Sequence, residues 1–363
     1  MMKALTYVRP GVIKYQDVEK PKLLQPTDVI GKTVVTTICG SDLHILSGAF
    51  PEFNKLAEKK AGRGFILGHE GIIKVEQIGS EVKNFKVGDV CIVSCITPCG
   101  ECFYCKEGCE AHCTQNEGTC GCILGSEIDG TQADYVRVPL ADNSLIKCPD
   151  NVKLESLLML SDILPTSYEL GVLDGGVKEG STVAIVGMGP VGLAALISAK
   201  ALNPDYIVAI DLNESRLKTA KKLGADYTFN PSKDDVVKLV MGLPVKQGKL
   251  PGVDVAIECC GIPATFEMCQ DIVGMNGRIA NVGVHSKSCK LAMEKLWVMN
   301  INISTGLVCG HSTKDLLRKV VSGELDPSSL ITHRFKLNEI EKAYDVFSNA
   351  SETDAIKMLL IND

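Results

Sequence analysis

The segment Gly187-Met188-Gly189-Pro190-Val191-Gly192 most restricts what this chain can become. A β-branched run at 183–186 precedes it, and an apolar, helix-forming run at 192–202 follows. Glycines at this spacing suit a strand that turns abruptly into a helix. The first permits the tight turn, the second lets a ligand approach the backbone, and the third lets the helix pack on the strand. The N–H groups at the helix start then form an anion site. A second β-branched run at 206–210 ends in Asp211, a carboxylate placed to accept from ribose hydroxyls. The pattern predicts a dinucleotide site built on Gly187, Gly189, Val191, Gly192 and Asp211.

Asp211 also selects the dinucleotide. A carboxylate there repels a 2′-phosphate, and Leu212-Asn213-Glu214-Ser215 offers no cation to receive one. Arg216 is spaced to pack along the adenine. NAD is expected over NADP.

A chain of 363 residues exceeds one ordinary core, so two domains are expected. Up to about residue 150, short apolar runs broken by Gly, Pro and Asp predict irregular β-structure. Beyond it, β-branched runs at 183–186, 206–210, 253–258 and 278–282 alternate with helical patterns, which predicts βαβ units on a parallel sheet. The tail past 305 reads as helical at 313–322 and 337–349, extended at 331–335 and strand-like at 355–361. The charged stretch 54–64, with Lys55, Lys59, Lys60 and Arg63, reads as a solvated loop.

Composition removes several function classes. A net charge of −6 without any Lys/Arg block argues against a nucleic-acid partner. No basic amphipathic run points to a membrane, and no apolar run approaches the roughly 18 residues needed to span one. The first ten residues lack the apolar core of a signal peptide, so a cytoplasmic protein is expected. Of the sixteen cysteines, more than half lie between Cys91 and Cys122. In such a chain, reduced thiols and metal thiolates are the better reading than disulfides.

Cys99-x-x-Cys102-x-x-Cys105 followed by Cys113 places four thiolates within fifteen residues. Tetrahedral zinc wants four soft ligands, and a site with four is closed and structural. On spacing alone, Cys109 competes for the fourth position. A catalytic zinc needs three protein ligands and an open position. Cys39, in Cys39-Gly40-Ser41-Asp42-Leu43-His44, and His69, in Gly68-His69-Glu70, each end an apolar run and offer two of them. Asp162 is available as the third, and Glu70 as an exchangeable ligand or a carboxylate that tunes the site.

With these residues in view, the chain resembles the zinc-containing alcohol dehydrogenases of the medium-chain dehydrogenase/reductase family over nearly its full length. Further carrying motifs are Glu258-Cys259-Cys260-Gly261 and Gly277-Arg278-Ile279-Ala280-Asn281-Val282-Gly283. The resemblance implies an α/β protein: a GroES-like β-barrel catalytic domain at 1–155 carrying the structural-zinc lobe, a Rossmann NAD-binding domain at 156–305, and a segment 306–363 returning to the catalytic domain. It implies two zinc ions per chain, one catalytic on Cys39, His69 and Asp162 and one structural on Cys99, Cys102, Cys105 and Cys113, which decides against Cys109. Members differ at the third catalytic ligand, where some place a cysteine. Ser41 and His44 match the proton relay. Where some relatives carry a basic residue after the first zinc cysteine, this chain has Gly40, leaving pyrophosphate to the helix N-terminus and Lys357. The implied activity is hydride transfer between a small primary or secondary alcohol and NAD. The apolar segment Leu296–Val308, near the edge of the Rossmann sheet, fits a homodimer or homotetramer. A polyol or threonine-type dehydrogenase is the near rival, and a non-catalytic zinc- and NAD-binding protein the distant one.

Overall fold

The computed structural model describes residues 1–60, 62–115 and 124–362; Cys120 and Cys122 of the cysteine-rich stretch lie outside them. The chain divides into one unit of Met1–Pro165 with Cys309–Asp363 and a second of Thr166–Val308. Eight strands open the first unit: β1 (Met2–Arg9), β2 (Val12–Val18), β3 (Val29–Thr36), β4 (Phe65–Ile66), β5 (Gly71–Ile78), β6 (Val90–Val93), β7 (Tyr135–Val138) and β8 (Leu145–Lys147). The second unit holds β9 (Thr182–Val186), β10 (Tyr206–Ile210), β11 (Tyr227–Phe229), β12 (Val253–Glu258), β13 (Val273–Asn281) and β14 (Asn302–Thr305). The first unit is completed by β15 (Ile331–Lys336) and β16 (Lys357–Ile361).

The sequence places the first break near 155, whereas the contacts place it after Pro165. The short helical turns Leu154–Leu158 and Met159–Ser161 account for the difference. The Ser161 carbonyl accepts from the Cys95 N–H at 3.0 Å, and its hydroxyl accepts from the Gly71 N–H at 3.3 Å. Residue 162 is thereby tied to the β-rich unit.

In the first unit β3 is the organising strand. It pairs with β5 along one side; on the other it pairs with β7 through Val29–Lys32 and with β16 at Val35 and Thr36. A strand with neighbours on both sides and little exposed surface reads as a near-continuous apolar run, which is why 29–38 looks as it does. The helix Ile340–Ser348 buries Ile340, Ala343, Tyr344 and Phe347, one face at helical spacing, against Leu5, Tyr7, Ile38 and Phe65. This packing holds the tail against the first unit's β-strands.

The second unit is a six-stranded sheet in the order β11-β10-β9-β12-β13-β14, every pairing parallel. That is the doubly wound order, whose direction of winding reverses between β9 and β12. All five residues of β9 and of β10 are buried, as strands covered on both faces must be. Pro190 stands in the first turn of the helix Pro190–Lys200, where its missing N–H has no intrahelical partner to lose. The π-helical segment Ser167–Leu173 has no counterpart in the sequence reading.

The stretch 54–64 corrects an expectation. Residues Pro51–Lys59 form a helix with Pro51 in its first turn. Lys60 and Arg63 are paired to Asp129 at 3.1 and 2.9 Å, and the Tyr7 hydroxyl bonds the Asn54 side chain. Lys60 and Arg63 are therefore anchored, while Lys55 and Lys59 on the helix stay exposed. No helix among the described residues is long and apolar enough to cross a membrane.

Candidate metal centres and dinucleotide turn

Cys39 is the residue before the helix Gly40–Leu46, just beyond the end of β3. His69 follows Gly68, whose φ of +92° favours glycine and whose missing Cβ would collide with Gln132 Cγ at 2.6 Å. Glu70 stands immediately before β5, and Asp162 between two short helical turns. One ligand atom from each of Cys39, His69, Glu70 and Asp162 lies within 4.8 Å of the others. Asp162 Oδ2 is 3.1 Å from His69 Nε2 and 3.7 Å from Cys39 Sγ. Glu70 Oε1 is farther from His69 Nε2, at 4.0 Å.

A layer of partners fixes these groups. Asp42 is buried; its Oδ2 accepts from the Cys39 N–H at 2.9 Å and from Gln132 Nε2 at 3.0 Å. Its Oδ1 lies 3.8 Å from His69 Nδ1, leaving Nε2 to face Asp162. Tyr344 donates its hydroxyl to Gln132 Oε1 at 2.9 Å. Lys357, fully buried, extends Nζ to Glu70 Oε1 at 2.5 Å and to the Ile38 carbonyl at 3.2 Å. The sequence reading aimed Lys357 at a pyrophosphate; its ammonium is instead buried against a carboxylate and a carbonyl.

Charge crowding shifts the ionisation of these groups. Burial pushes the Asp42 and Glu70 carboxyls up, partly opposed by His69 and Lys357. Burial disfavours an imidazolium at His69, but Cys39, Asp162 and Asp42 outweigh it and lift the ring well above its ordinary value. Without a metal, the cluster must hold a proton to limit its negative charge. Glu70 Oε2 is buried with no hydrogen-bond partner among the described residues. A divalent cation answers both conditions, and sulfur, nitrogen and carboxylate donors together suit zinc.

The second cluster is local. Cys99, Cys102, Cys105 and Cys113 converge within 4.8 Å, with Sγ–Sγ separations of 3.9 Å for Cys99–Cys105 and 3.5 Å for Cys102–Cys105. The N–H groups of Glu101 and Cys102 donate to Cys99 Sγ, and that of Cys99 to Cys113 Sγ, all at 3.3 Å. Backbone N–H bonds draw the Cys102 thiol down to about 6, while burial pushes Cys105 up to about 12. Cys109 is exposed and outside the cluster. Four sulfurs with amide donors around them fit one closed tetrahedral zinc.

In the second unit, the three glycines of the turn differ in their surroundings. A Cβ on Gly187 (φ +98°) would meet Cys260 Sγ at 2.4 Å, and one on Gly192 would meet the Gly187 carbonyl at 1.7 Å. At Gly189 the nearest atom is Arg216 Nη1 at 3.9 Å, so the backbone there is open. Asp211 Oδ2 accepts from the Met188 N–H at 2.6 Å and lies 4.0 Å from Arg216 Nη1. Val191 carries a carbonyl that accepts from the Ser167 hydroxyl at 2.8 Å. Arg216 Nε is buried without a hydrogen-bond partner among the described residues. A tight turn, an open glycine and a carboxylate at the end of the next strand fit a dinucleotide.

Ser41 and His44 share the helix Gly40–Leu46 and, three apart, lie on one face. Ser41 is half-buried and His44 exposed, its ring 6.3 Å from that of Phe50. Sequence reasoning missed Gln132, Tyr344 and the positioning part of Asp42, and misassigned Lys357. Asp42 carried a signal, being a carboxylate three residues past the candidate ligand Cys39, in the first turn of the helix that Cys39 precedes. The others join segments too distant in sequence for any motif to link.

Two family models match the chain: an alcohol dehydrogenase GroES-like domain over residues 25–150 and a zinc-binding dehydrogenase domain over 190–322. An alcohol dehydrogenase of Cupriavidus necator is 34% identical over 96% of either chain. L-threonine 3-dehydrogenase of Pyrococcus horikoshii is 30% identical over 99% of each. Among solved structures, zinc-dependent alcohol dehydrogenase 2 of Streptococcus pneumoniae in its apo form superposes with a TM-score of 0.90 at 46% identity, covering 100% of this chain and 99% of that one. This chain belongs to the zinc-containing alcohol dehydrogenases of the medium-chain family and is an enzyme of that kind.

Proposed function

We propose that the protein is an NAD-dependent dehydrogenase of small primary or secondary alcohols, holding one catalytic zinc on Cys39, His69 and Asp162 and one structural zinc on Cys99, Cys102, Cys105 and Cys113. The observation that carries this reading is the convergence of a thiol, an imidazole and two carboxylates from three separate segments, at 39, 69–70 and 162, within 4.8 Å. The closer approach of Asp162 favours it as third ligand, with Glu70 held on Lys357.

When bound, zinc supplies Lewis acidity that lets an alcohol O–H lose its proton near neutral pH, and NAD accepts the hydride. The chain's own residues do the rest. Asp42 fixes the Cys39 backbone and faces His69 Nδ1, so both ligands are presented without rotamer search. Ser41 Oγ takes the substrate proton. His44, exposed one turn later, exchanges it with solvent through its imidazole, the side chain suited to that pH range. On the cofactor side, Asp211 accepts from ribose hydroxyls and repels a 2′-phosphate, and the helix Pro190–Lys200 offers its N-terminus to pyrophosphate.

Cytoplasmic residence is supported by the four-cysteine cluster, whose thiols suit metal binding in a reducing compartment. Self-association is supported by exposed apolar side chains at Leu291, Met293, Trp297, Val298 and Ile303, the last on the edge strand β14. Threonine is a second candidate substrate, favoured by the match to L-threonine 3-dehydrogenase. Following NADH absorbance with ethanol, 2-propanol, a polyol and threonine decides between the readings. Turnover of the simple alcohols is expected; no turnover of any of the four by protein carrying two zinc ions would overturn the proposal.

A further inference from the structure

The loop after β13 holds a second constellation of chemically active side chains. Cys289 Sγ lies 2.9 Å from His285 Nδ1. On the other side of the ring, Nε2 lies 2.8 Å from Asn281 Oδ1 and 3.3 Å from Glu258 Oε2. Asn281 Nδ2 donates to the Gly283 carbonyl at 3.0 Å, which fixes Oδ1 as the atom facing the imidazole. Two acceptors on one side require the ring proton on Nε2. Nδ1 is then a free lone pair aimed at the thiol.

The supporting carboxylate is rigid. Glu258 is fully buried, and its oxygens accept from the Cys260 N–H at 2.8 Å, the Gly261 N–H at 3.0 Å and the Thr265 hydroxyl at 2.6 Å. Those bonds keep it an acceptor, so a proton gained at Nδ1 leaves an imidazolium facing a fixed negative charge. The thiol's other acceptor, the Lys287 carbonyl, is more distant at 3.7 Å. Cys289 is half-buried in a loop whose residues 286–288 and 290 are exposed, and Lys287 and Lys290 add positive charge to that loop. Thiol, imidazole and carboxylate in series, reachable from solvent, form an activated nucleophile.

We propose that Cys289 is a reactive thiol that hydrogen peroxide or an organic hydroperoxide converts to a sulfenic acid, with His285 as its base and Glu258 as the charge behind it. In the step, S–H gives its proton to Nδ1 and the thiolate attacks the near peroxide oxygen. The S–O bond forms as the O–O bond breaks, and sulfur loses two electrons. The leaving oxyanion takes the proton from Nδ1 and departs as water or alcohol.

The zinc-loaded full chain, exposed to hydrogen peroxide with dimedone and digested for peptide mass spectrometry, tests this. Dimedone is expected on Cys289 at least tenfold faster than on Cys109, which is exposed but lies outside the metal clusters. His285→Gln is expected to remove that advantage. Equal rates at Cys289 and Cys109 in the unaltered protein, or a Cys289 rate unchanged in H285Q, would overturn the proposal. The first comparison needs no variant and stands even where H285Q fails to fold.

Discussion

Two candidate metal clusters of the first unit solve the same problem, several thiolates and carboxylates in one place, by opposite means. The four-cysteine lobe draws every ligand from residues 99–113 and offsets thiolate charge with backbone N–H groups and partial exposure. The Cys39–His69–Asp162 cluster draws ligands from segments up to 123 residues apart and is largely buried. It brings in Lys357, whose ammonium offsets one carboxylate, so that one bound divalent cation would balance the remaining thiolate and carboxylate. A local site can be assembled by its own loop, whereas a dispersed one exists only once the β-unit has folded around it. The closed set suits structure. The dispersed set, with Glu70 drawn onto Lys357, would leave a position for exchange of a substrate.

The comparison breaks most visibly if either cluster takes the other's role. His69→Ala and Asp162→Ala are each expected to lose one zinc per chain by metal analysis. In both, kcat/KM falls roughly a thousandfold or more, since a lost Lewis acid removes several kcal/mol from the transition state. Glu70→Ala should retain both ions. If D162A kept two zinc ions and its activity while E70A lost one, Glu70 would be the third ligand.

Next in size is the buried ion pair that only the dispersed cluster needs. Lys357→Ala leaves Glu70 charged and unpartnered in the interior, a change that typically costs about 3–5 kcal/mol. The shift in urea unfolding of the zinc-loaded protein measures it. The double variant Lys357→Met with Glu70→Gln removes the stranded charge and should recover most of the loss. A double variant as unstable as K357A would show that Lys357 acts through packing alone.

What could be read from the sequence follows the same division. Cys99, Cys102, Cys105 and Cys113 announce themselves by spacing, because a local loop builds their site. Gly187, Gly189, Gly192 and Asp211 do so because a single βα turn and the next strand end carry the dinucleotide requirements. Cys39 and His69 stand out through their neighbours, but Gln132, Tyr344 and Lys357 join the cluster only through tertiary pairing: Lys357 and Glu70 are 287 residues apart. That is why Lys357 was aimed at a phosphate. The helix Pro51–Lys59 was hidden by its charges, although Pro51 marks its first turn and Phe53 packs toward Phe65. The break at Pro165 escaped because hydrogen bonds from Gly71 and Cys95, not composition, hold Ser161 to the first unit.

Ionisation separates the clusters further. In the lobe, burial pushes Cys105 up to about 12 and raises Cys113, while Cys102 near 6 is largely ionised at neutral pH. Zinc uptake must therefore expel protons from Cys105 and Cys113, and a reaction that releases protons is favoured as pH rises. Each proton released raises the apparent affinity about tenfold per pH unit, so the increase is expected to be at least about a hundredfold per pH unit for Cys105 and Cys113 together. Chelator competition on His69→Ala, which keeps only the lobe zinc, at pH 6.5 and 7.5 measures the slope. A flat response would mean that the thiols are already ionised in the metal-free lobe, with the amide donors carrying more of the charge than the burial of Cys105 implies.

The smallest effect tests how self-sufficient the local site is. Asn143, outside the ligand loop, donates Nδ2 to the Cys99 carbonyl at 2.8 Å and packs where a Cβ on Gly100 would sit, 2.9 Å from that nitrogen. It is a tether between the lobe and the short helix Ala141–Ser144. Removing one such hydrogen bond costs about 1 kcal/mol, equivalent to roughly fivefold in an equilibrium. Asn143→Ala should therefore shorten the half-time of zinc release to a chromogenic chelator by a few-fold and leave kcat unchanged. If release accelerates a hundredfold, the lobe leans on the rest of the fold as heavily as the dispersed cluster does, and the contrast between a self-built site and a fold-built one fails.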